Sequence, residues 1–163
     1  MDKYIIRFDG TEHAFLSNFC VSEISIEAFP LDKIETEPKN YVTTEHAFQA
    51  AKTHDTKQRE EIRLASHPSD AKRLGRKATL RDDWEIVKDD IMLFCLRKKF
   101  EIKELKEKLL ATGDAVLVEG TRWHDNYWGV CYCEKCKGVG KNMLGKLLMQ
   151  VRNEIKGEQN DRT

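Results

Sequence analysis

No apolar run in this chain approaches the roughly 20 residues that cross a bilayer. Its start, residues 1–10, also lacks the apolar core of a secretory leader. A membrane partner is therefore not expected, and the cytoplasm is the expected location. Net charge is absent as well, with 28 Lys+Arg balancing 28 Asp+Glu. A protein held by the bulk phosphate field of nucleic acid is usually basic. The balance favours a small anionic ligand, or one modified nucleotide, over a long duplex tract. A disulfide framework is missing too. The five cysteines are odd in number and irregularly spaced, which suits a reducing compartment. Repeats, low-complexity tracts and linker-like stretches are not found, so 163 residues imply one domain over residues 1–156. A polar, disordered tail is expected over 157–163.

Within that frame the chain alternates strand-like and helix-like stretches. Tyr4–Phe8 is a short apolar run closed by Asp9-Gly10, and Val21–Phe29 places Ile24 and Ile26 on one face. Together they predict a small N-terminal antiparallel sheet. Helices are expected over Thr44–Lys52, Lys57–Ala65 and Ser69–Leu74, the last ended by Gly75. A further helix starts after Asp82 or Asp83 and runs toward Phe100, followed by Ile102–Ala111 and by Asn142 to about Lys156. Ala115–Glu119 is β-like. Gly120–Gly140 is irregular, aromatic and long for a structureless loop, which itself suggests function. The fold class expected is α+β and mainly helical.

The stretch YVTTEHAFQAAK, Tyr41–Lys52, carries the densest chemistry. At about 100° per residue, Glu45, Gln49 and Lys52 fall within about 60° of one another beside Phe48. Ala47, Ala50 and Ala51 occupy the opposite, close-packing side. A solvated polar face with an ion pair is the plain reading of such a stripe. Two further clusters, Arg81–Trp84 and Trp123–Gly129, also mix aromatics with carboxylates. That mixture suits a flat heterocycle joined to a sugar, because rings stack while carboxylates read hydroxyls or move protons. Trp84 can equally be a core anchor, and Asp125 a turn residue. Phosphate has candidates in Arg7, Arg81 and the lead-in Gly138–Asn142, but no Walker or dinucleotide fingerprint is present.

Cys131, Cys133 and Cys136 form C-x-C-x2-C. They could hold zinc with His124, Cys20 or Cys95 as fourth ligand. A usual zinc pattern has two separated pairs, so free loop thiols are the leading expectation, with no metal and no cofactor assigned.

Taken in order, several stretches resemble the NADAR family, also called YbiA-like. They are FLSNF at 15–19, TEHAFQAAK at 44–52, AKRLGR at 71–76, Asp83-Trp84, Met92, Lys99-Phe100 and LATG at 110–113. DNYWG at 125–129 and GKNMLGKLLM at 140–149 complete the series. Cys20 departs from the aromatic common after LSNF, and the C-x-C-x2-C insert occurs in only part of the family. The resemblance implies an N-glycosidase acting on ribosyl-linked bases. Its expected substrates are phosphoribosylamino-pyrimidine intermediates of riboflavin synthesis, or ADP-ribose attached to guanine in DNA or RNA. It implies catalytic roles for Glu45, Lys52, Trp84 and Asp125, and the expected substrate-binding residues are Arg7, Asn18, Phe19, Gln49, Trp128, Gly129 and Asn142. Two mechanisms stay open. In one, Glu45 or Asp125 activates water through an oxocarbenium-like state. In the other, Lys52 attacks the anomeric carbon and forms a Schiff base, which requires desolvation or another cation to outweigh Glu45. A module that binds ADP-ribose or NAD without turnover is the alternative from a different class.

Overall fold

A computed structural model of the chain describes residues 3–10, 12–32 and 37–160. In chain order the elements are β1 (Tyr4–Ile6), β2 (Val21–Ile26), β3 (Lys39–Thr43), α1 (Thr44–Ala50), α2 (Thr56–Arg63), α3 (Pro68–Lys77), α4 (Trp84–Lys99), α5 (Lys103–Ala111), β4 (Val116–Val118), β5 (Gly120–Thr121), β6 (Val130–Cys131) and α6 (Met143–Asn160). The architecture is α+β and mainly helical, as expected. The chain divides into two compact units, Asn18–Ile102 and a second formed by Met1–Ser17 with Lys103–Thr163.

In the first unit, β2 and β3 pair antiparallel with Ile24 opposite Tyr41. Alternation along β2 buries Ser22, Ile24 and Ile26, the period-two pattern that puts one face of a strand against a core. Phe29 packs edge-on against Tyr41 at 5.7 Å between ring centroids. β3 runs directly into α1, whose seven residues are all buried. Thr43 caps that helix through its side-chain oxygen, which accepts from the His46 amide at 3.2 Å. The His46 ring bonds both the Thr43 hydroxyl (2.8 Å) and the Ala65 carbonyl (3.0 Å). Since a carbonyl only accepts, Nε2 carries a proton. The cap and the ring thus lock the start of α1 to the end of α2.

Helix α3 runs through Gly75 to Lys77, so Gly75 does not end it. Gly75 sits inside because a Cβ there would fall 2.1 Å from Gln49 Oε1. Asp83 occupies the N-cap position of α4 without a side-chain capping bond. Its carboxylate is taken by Arg81 at 2.6 and 2.9 Å.

In the second unit, β1 runs parallel to β4, Ile5 against Leu117. The antiparallel sheet expected at the N-terminus therefore consists, among the described residues, of β2 and β3. Leu144, Leu148, Val151 and Ile155 of α6 are buried, with Leu109 of α5 and Leu117 of β4. Helix α6 continues past Lys156 to Asn160, so the tail expected from residue 157 is helical over its first four positions. Residues 161–163 lie outside the described residues. The 120–140 stretch is not structureless, for β5 and β6 pair in parallel and Cys131 bridges to Val139.

Candidate active site

The polar stripe of α1 is buried rather than solvated. Glu45 is 6% exposed and Gln49 3% exposed, and Gln49 Nε2 donates to Glu45 Oε1 at 2.7 Å. An ionised carboxylate loses its hydration on burial, and one amide donor replaces little of it. Burial therefore holds the Glu45 carboxyl above its usual range, against the opposing pull of Gln49, Lys72, Lys52 and His46.

One turn further, Lys52 follows the end of α1 and lies under two aromatic rings. Its Nζ is 5.7 Å from the ring centroids of both Phe48 and Trp84, which lie 5.1 Å apart at 55°. Burial pushes the Lys52 ammonium below its usual pKa. Glu45 opposes this, whereas the cations Lys72 and Arg76 reinforce it. Desolvation and like charge thus outweigh the carboxylate, the condition a nucleophilic amine requires. The cation–π contacts work the other way, and so hold the amine in place more than they activate it.

The rest of this unit fixes those groups. The Lys52 carbonyl accepts from the Arg81 amide at 2.8 Å. Arg81, fully enclosed, also reaches the carbonyls of Ala51 and Leu31 and the Asp83 carboxylate. It is a brace between the end of α1 and the start of α4, and its donors are spent on protein acceptors, so it does not serve as the phosphate clamp considered from sequence. The Asn18 carbonyl accepts from the Glu45 amide at 3.0 Å, and the Asn18 amide nitrogen meets Met92 Sδ at 3.5 Å. Asn18 Oδ1 and Gln49 Oε1 are buried acceptors with no donor among the described residues. Phe19 is 42% exposed, with Lys72 Nζ 5.9 Å from its ring centroid. The structure therefore brings Glu45, Gln49, Lys52 and Trp84 into one electrostatic and packing group, with Asn18 attached through its backbone.

Lys72 and Arg76 carried no role in the sequence reading. Their signal was the i, i+4 spacing on α3 beside a glycine. It becomes readable only once Gly75 is seen to bring that face of α3 against Gln49.

The remaining expected residues belong to the second unit. Asp125 Oδ1 accepts from the amides of Tyr127 (3.2 Å) and Trp128 (2.9 Å), an Asx turn that gives this carboxylate a structural task. Trp128 packs edge-on against Tyr127 at 5.1 Å. Gly129 makes a close approach, since a Cβ there would lie 2.4 Å from the Glu119 carbonyl oxygen. Asn142 is neither a substituent of a free helix end nor a side-chain cap. Its Oδ1 accepts from the Glu119 amide (3.0 Å) and its Nδ2 donates to the Leu117 carbonyl (2.9 Å). The amides leading into α6, Lys141, Asn142, Met143 and Leu144, donate to the carbonyls of Asn126, Gly129, Tyr127 and Trp128. That helix start is thus supplied with backbone acceptors, which removes the reason to seek an anion there. Arg7 is an exposed residue with φ 77° whose guanidinium pairs with Asp9 at 2.8 Å.

Comparison with known proteins bears on the whole of this arrangement. Residues 6–156 match the model of the NADAR domain. The chain is 43% identical over 160 residues to the N-glycosidase YbiA of Escherichia coli (strain K12), covering 95% of this chain and 91% of that protein. It is 34% identical over 161 residues to a riboflavin biosynthesis protein of Vibrio vulnificus (strain YJ016), covering 95% of this chain and 39% of that one. The NMR structure of E. coli YbiA superposes with a TM-score of 0.77 at 39% identity, over 98% of this chain and 89% of the other. With the family model spanning nearly all of the chain, and a relative of this identity beside it, the chain belongs to the NADAR domain family.

Proposed function

We infer that this chain is a hydrolase of N-glycosyl bonds, and that Lys52 and Glu45 carry the reaction. The observation that supports this reading is the pairing of a buried carboxyl with a half-buried amine that lies against Phe48 and Trp84, each displaced toward its neutral form. Lys52 is pushed toward the free amine and Glu45 toward the carboxylic acid. Relatives named N-glycosidases, among them the E. coli protein, supply the reaction class.

In the proposed reaction the Lys52 amine attacks the anomeric carbon of a ribose. The bond from that carbon to the base nitrogen breaks, and Glu45 supplies the proton that the leaving base needs. The sugar then opens: the ring oxygen leaves the same carbon and takes one of the amine's two protons to become a hydroxyl, the Glu45 carboxylate takes the other, and a Schiff base remains. Water adds to the imine carbon and releases the sugar aldehyde with Lys52 regenerated. Trp84 and Phe48 flank the amine and shape the wall against which a planar base stacks. Asn18 Oδ1 and Gln49 Oε1 are acceptors that sugar hydroxyls satisfy, and Lys72 and Arg76 supply cations for a phosphate. Phe19, exposed beside Lys72, offers a second ring face. Asp125, Trp128, Gly129 and Asn142 enter this reading only through the family resemblance, and Arg7 only as a cation considered for phosphate.

The substrate we propose first is a phosphoribosylamino-pyrimidine of riboflavin synthesis, because a relative covering 95% of the chain is named a riboflavin biosynthesis protein. ADP-ribose on guanine is the second. Mass spectrometry of both substrates incubated in parallel with the protein distinguishes them. Ribose 5-phosphate and free pyrimidine mark the first; restored guanine with free ADP-ribose marks the second. Binding without product in either would replace the hydrolase with a module that recognises ADP-ribose or NAD. Borohydride added during turnover should fix the sugar to Lys52 as a stable adduct. An unlabelled Lys52 during active turnover would eliminate the covalent route and leave direct attack by water.

A further inference from the structure

Outside the group around Lys52, the second unit contains another cluster of chemically competent side chains. We propose that His124, Cys131, Cys133 and Cys136 form a structural zinc site. The four ligand atoms lie within 4.8 Å of one another. His124 Nδ1 is 3.2 Å from Cys136 Sγ and 3.5 Å from Cys133 Sγ. Zinc bonds of about 2.3 Å to sulfur and about 2.0 Å to nitrogen place tetrahedral ligands about 3.5–3.8 Å apart. The cluster therefore needs shifts of an ångström or less to close on a cation of that size. Magnesium and calcium are excluded by ligand type, since both take oxygen.

The backbone around the cluster is arranged for thiolates. The His124 amide donates to Cys131 Sγ at 3.3 Å and the Cys136 amide to Cys133 Sγ at 3.4 Å, while the Asn126 side chain reaches Cys136 Sγ at 3.8 Å. Three thiolates and one neutral imidazole around Zn²⁺ leave one net negative charge, which such N–H donors offset. Binding exchanges three thiol protons for the cation. The turn between the sulfurs is tight: Lys137 N donates to the Cys133 carbonyl and Gly138 N to the Cys131 carbonyl, with φ of 49° at Lys137 and 85° at Gly138. His124, with φ 64°, is bent back so that its ring meets the thiols. Four protein ligands leave no open position, which makes the site structural rather than catalytic. Its effect is to tie the strand residue Cys131 to the loop ahead of it, holding both ends of the segment that carries the Asp125 turn. Cys20 and Cys95, weighed from sequence as fourth ligands, lie in the other unit and are not needed, because His124 completes the set.

The test uses the full chain purified without chelator under reducing conditions. Elemental analysis should return about one zinc per chain. Cobalt(II) exchanged into the protein should give the strong visible bands and sulfur-to-metal charge transfer of a tetrahedral thiolate site. Cys133→Ser and Cys136→Ser should lose the bound metal, whereas Cys20→Ser keeps it. Less than about a tenth of an equivalent of zinc, with no thiolate bands on adding cobalt to fully reduced wild-type protein, would overturn the proposal without reference to whether the variants fold.

Discussion

At the scale of single residues, the site trades stability for chemistry. Glu45 has its folded pKa raised above the ordinary 4.5, so its unfavourable contribution appears as pH rises past 4.5 and is complete above the folded value. Lys52 has its folded pKa lowered from 10.5, so its cost appears as pH falls below 10.5 and is complete below the folded value. Where both groups are charged, both costs are present together. Glu45→Gln keeps the shape and the bond from Gln49 while removing the buried charge. It should lower kcat by on the order of 10²- to 10⁴-fold and leave Tm at neutral pH equal or higher. A fall in Tm in a thermal melt would mean the carboxylate is structural. The same displacements set the pH profile. Lys52 must lose its proton, so kcat/KM rises with pH through a pKa below 10.5. Glu45 must keep its proton, so the rate falls with pH through a pKa above 4.5. Lys52→Met should abolish turnover at every pH, and a profile that stays flat in wild-type protein would contradict both assignments.

At the scale of elements, function depends on how closely α3 approaches α1. Gly75 lets the α3 backbone contact the Gln49 side chain, and a Cβ there would overlap Oε1 at 2.1 Å. Gly75→Ala gains about 1 kcal/mol of helix propensity but introduces an overlap that costs about 1–3 kcal/mol. The expected net result is lower stability in urea titration, together with reduced kcat as Gln49 is driven off Glu45. A variant as stable and active as the parent would show that the contact relaxes without consequence. Sequence reading ended the helix at Gly75 because glycine commonly terminates helices. Here the residue is interior, and only the neighbouring helix reveals why. By contrast, the start of α1 was legible from Thr43 or Thr44 as cap, Glu45 in the first turn and the alanines after it, local signals that tertiary context did not override; the structure chooses Thr43.

At the scale of the whole molecule, charge balance argues for local rather than extended recognition. With 28 cationic and 28 anionic side chains, long-range attraction to a polyanion is weak, and the cations near Lys52 are few. If ADP-ribosylated guanine is the substrate, the modified mononucleotide and the same nucleotide within a 20-mer should differ by less than about tenfold in kcat/KM, with shallow salt dependence. A hundredfold preference for the oligonucleotide that collapses with salt would show an extended nucleic-acid surface instead.

The sequence by itself determined the mainly helical α+β class, the order of most elements and the family. These follow from hydrophobic period, caps and ordered motifs, which are local in the chain. It also brought Glu45 and Gln49 onto one stripe, because the helical repeat is fixed by backbone geometry, whereas Lys52, expected on the same helix, lies in the turn after Ala50. It did not determine whether that stripe faces water. Only packing against α3 and α4 decided that Glu45 and Gln49 are buried, that Trp84 and Phe48 flank Lys52, and that Lys72 and Arg76 add their charge to it. Tertiary structure likewise decided that β1 pairs with β4, and that Asp125 Oδ1 and both polar atoms of the Asn142 side chain bond backbone. Burial and charge proximity depend on residues distant in the chain, and they set the protonation states on which the chemistry depends.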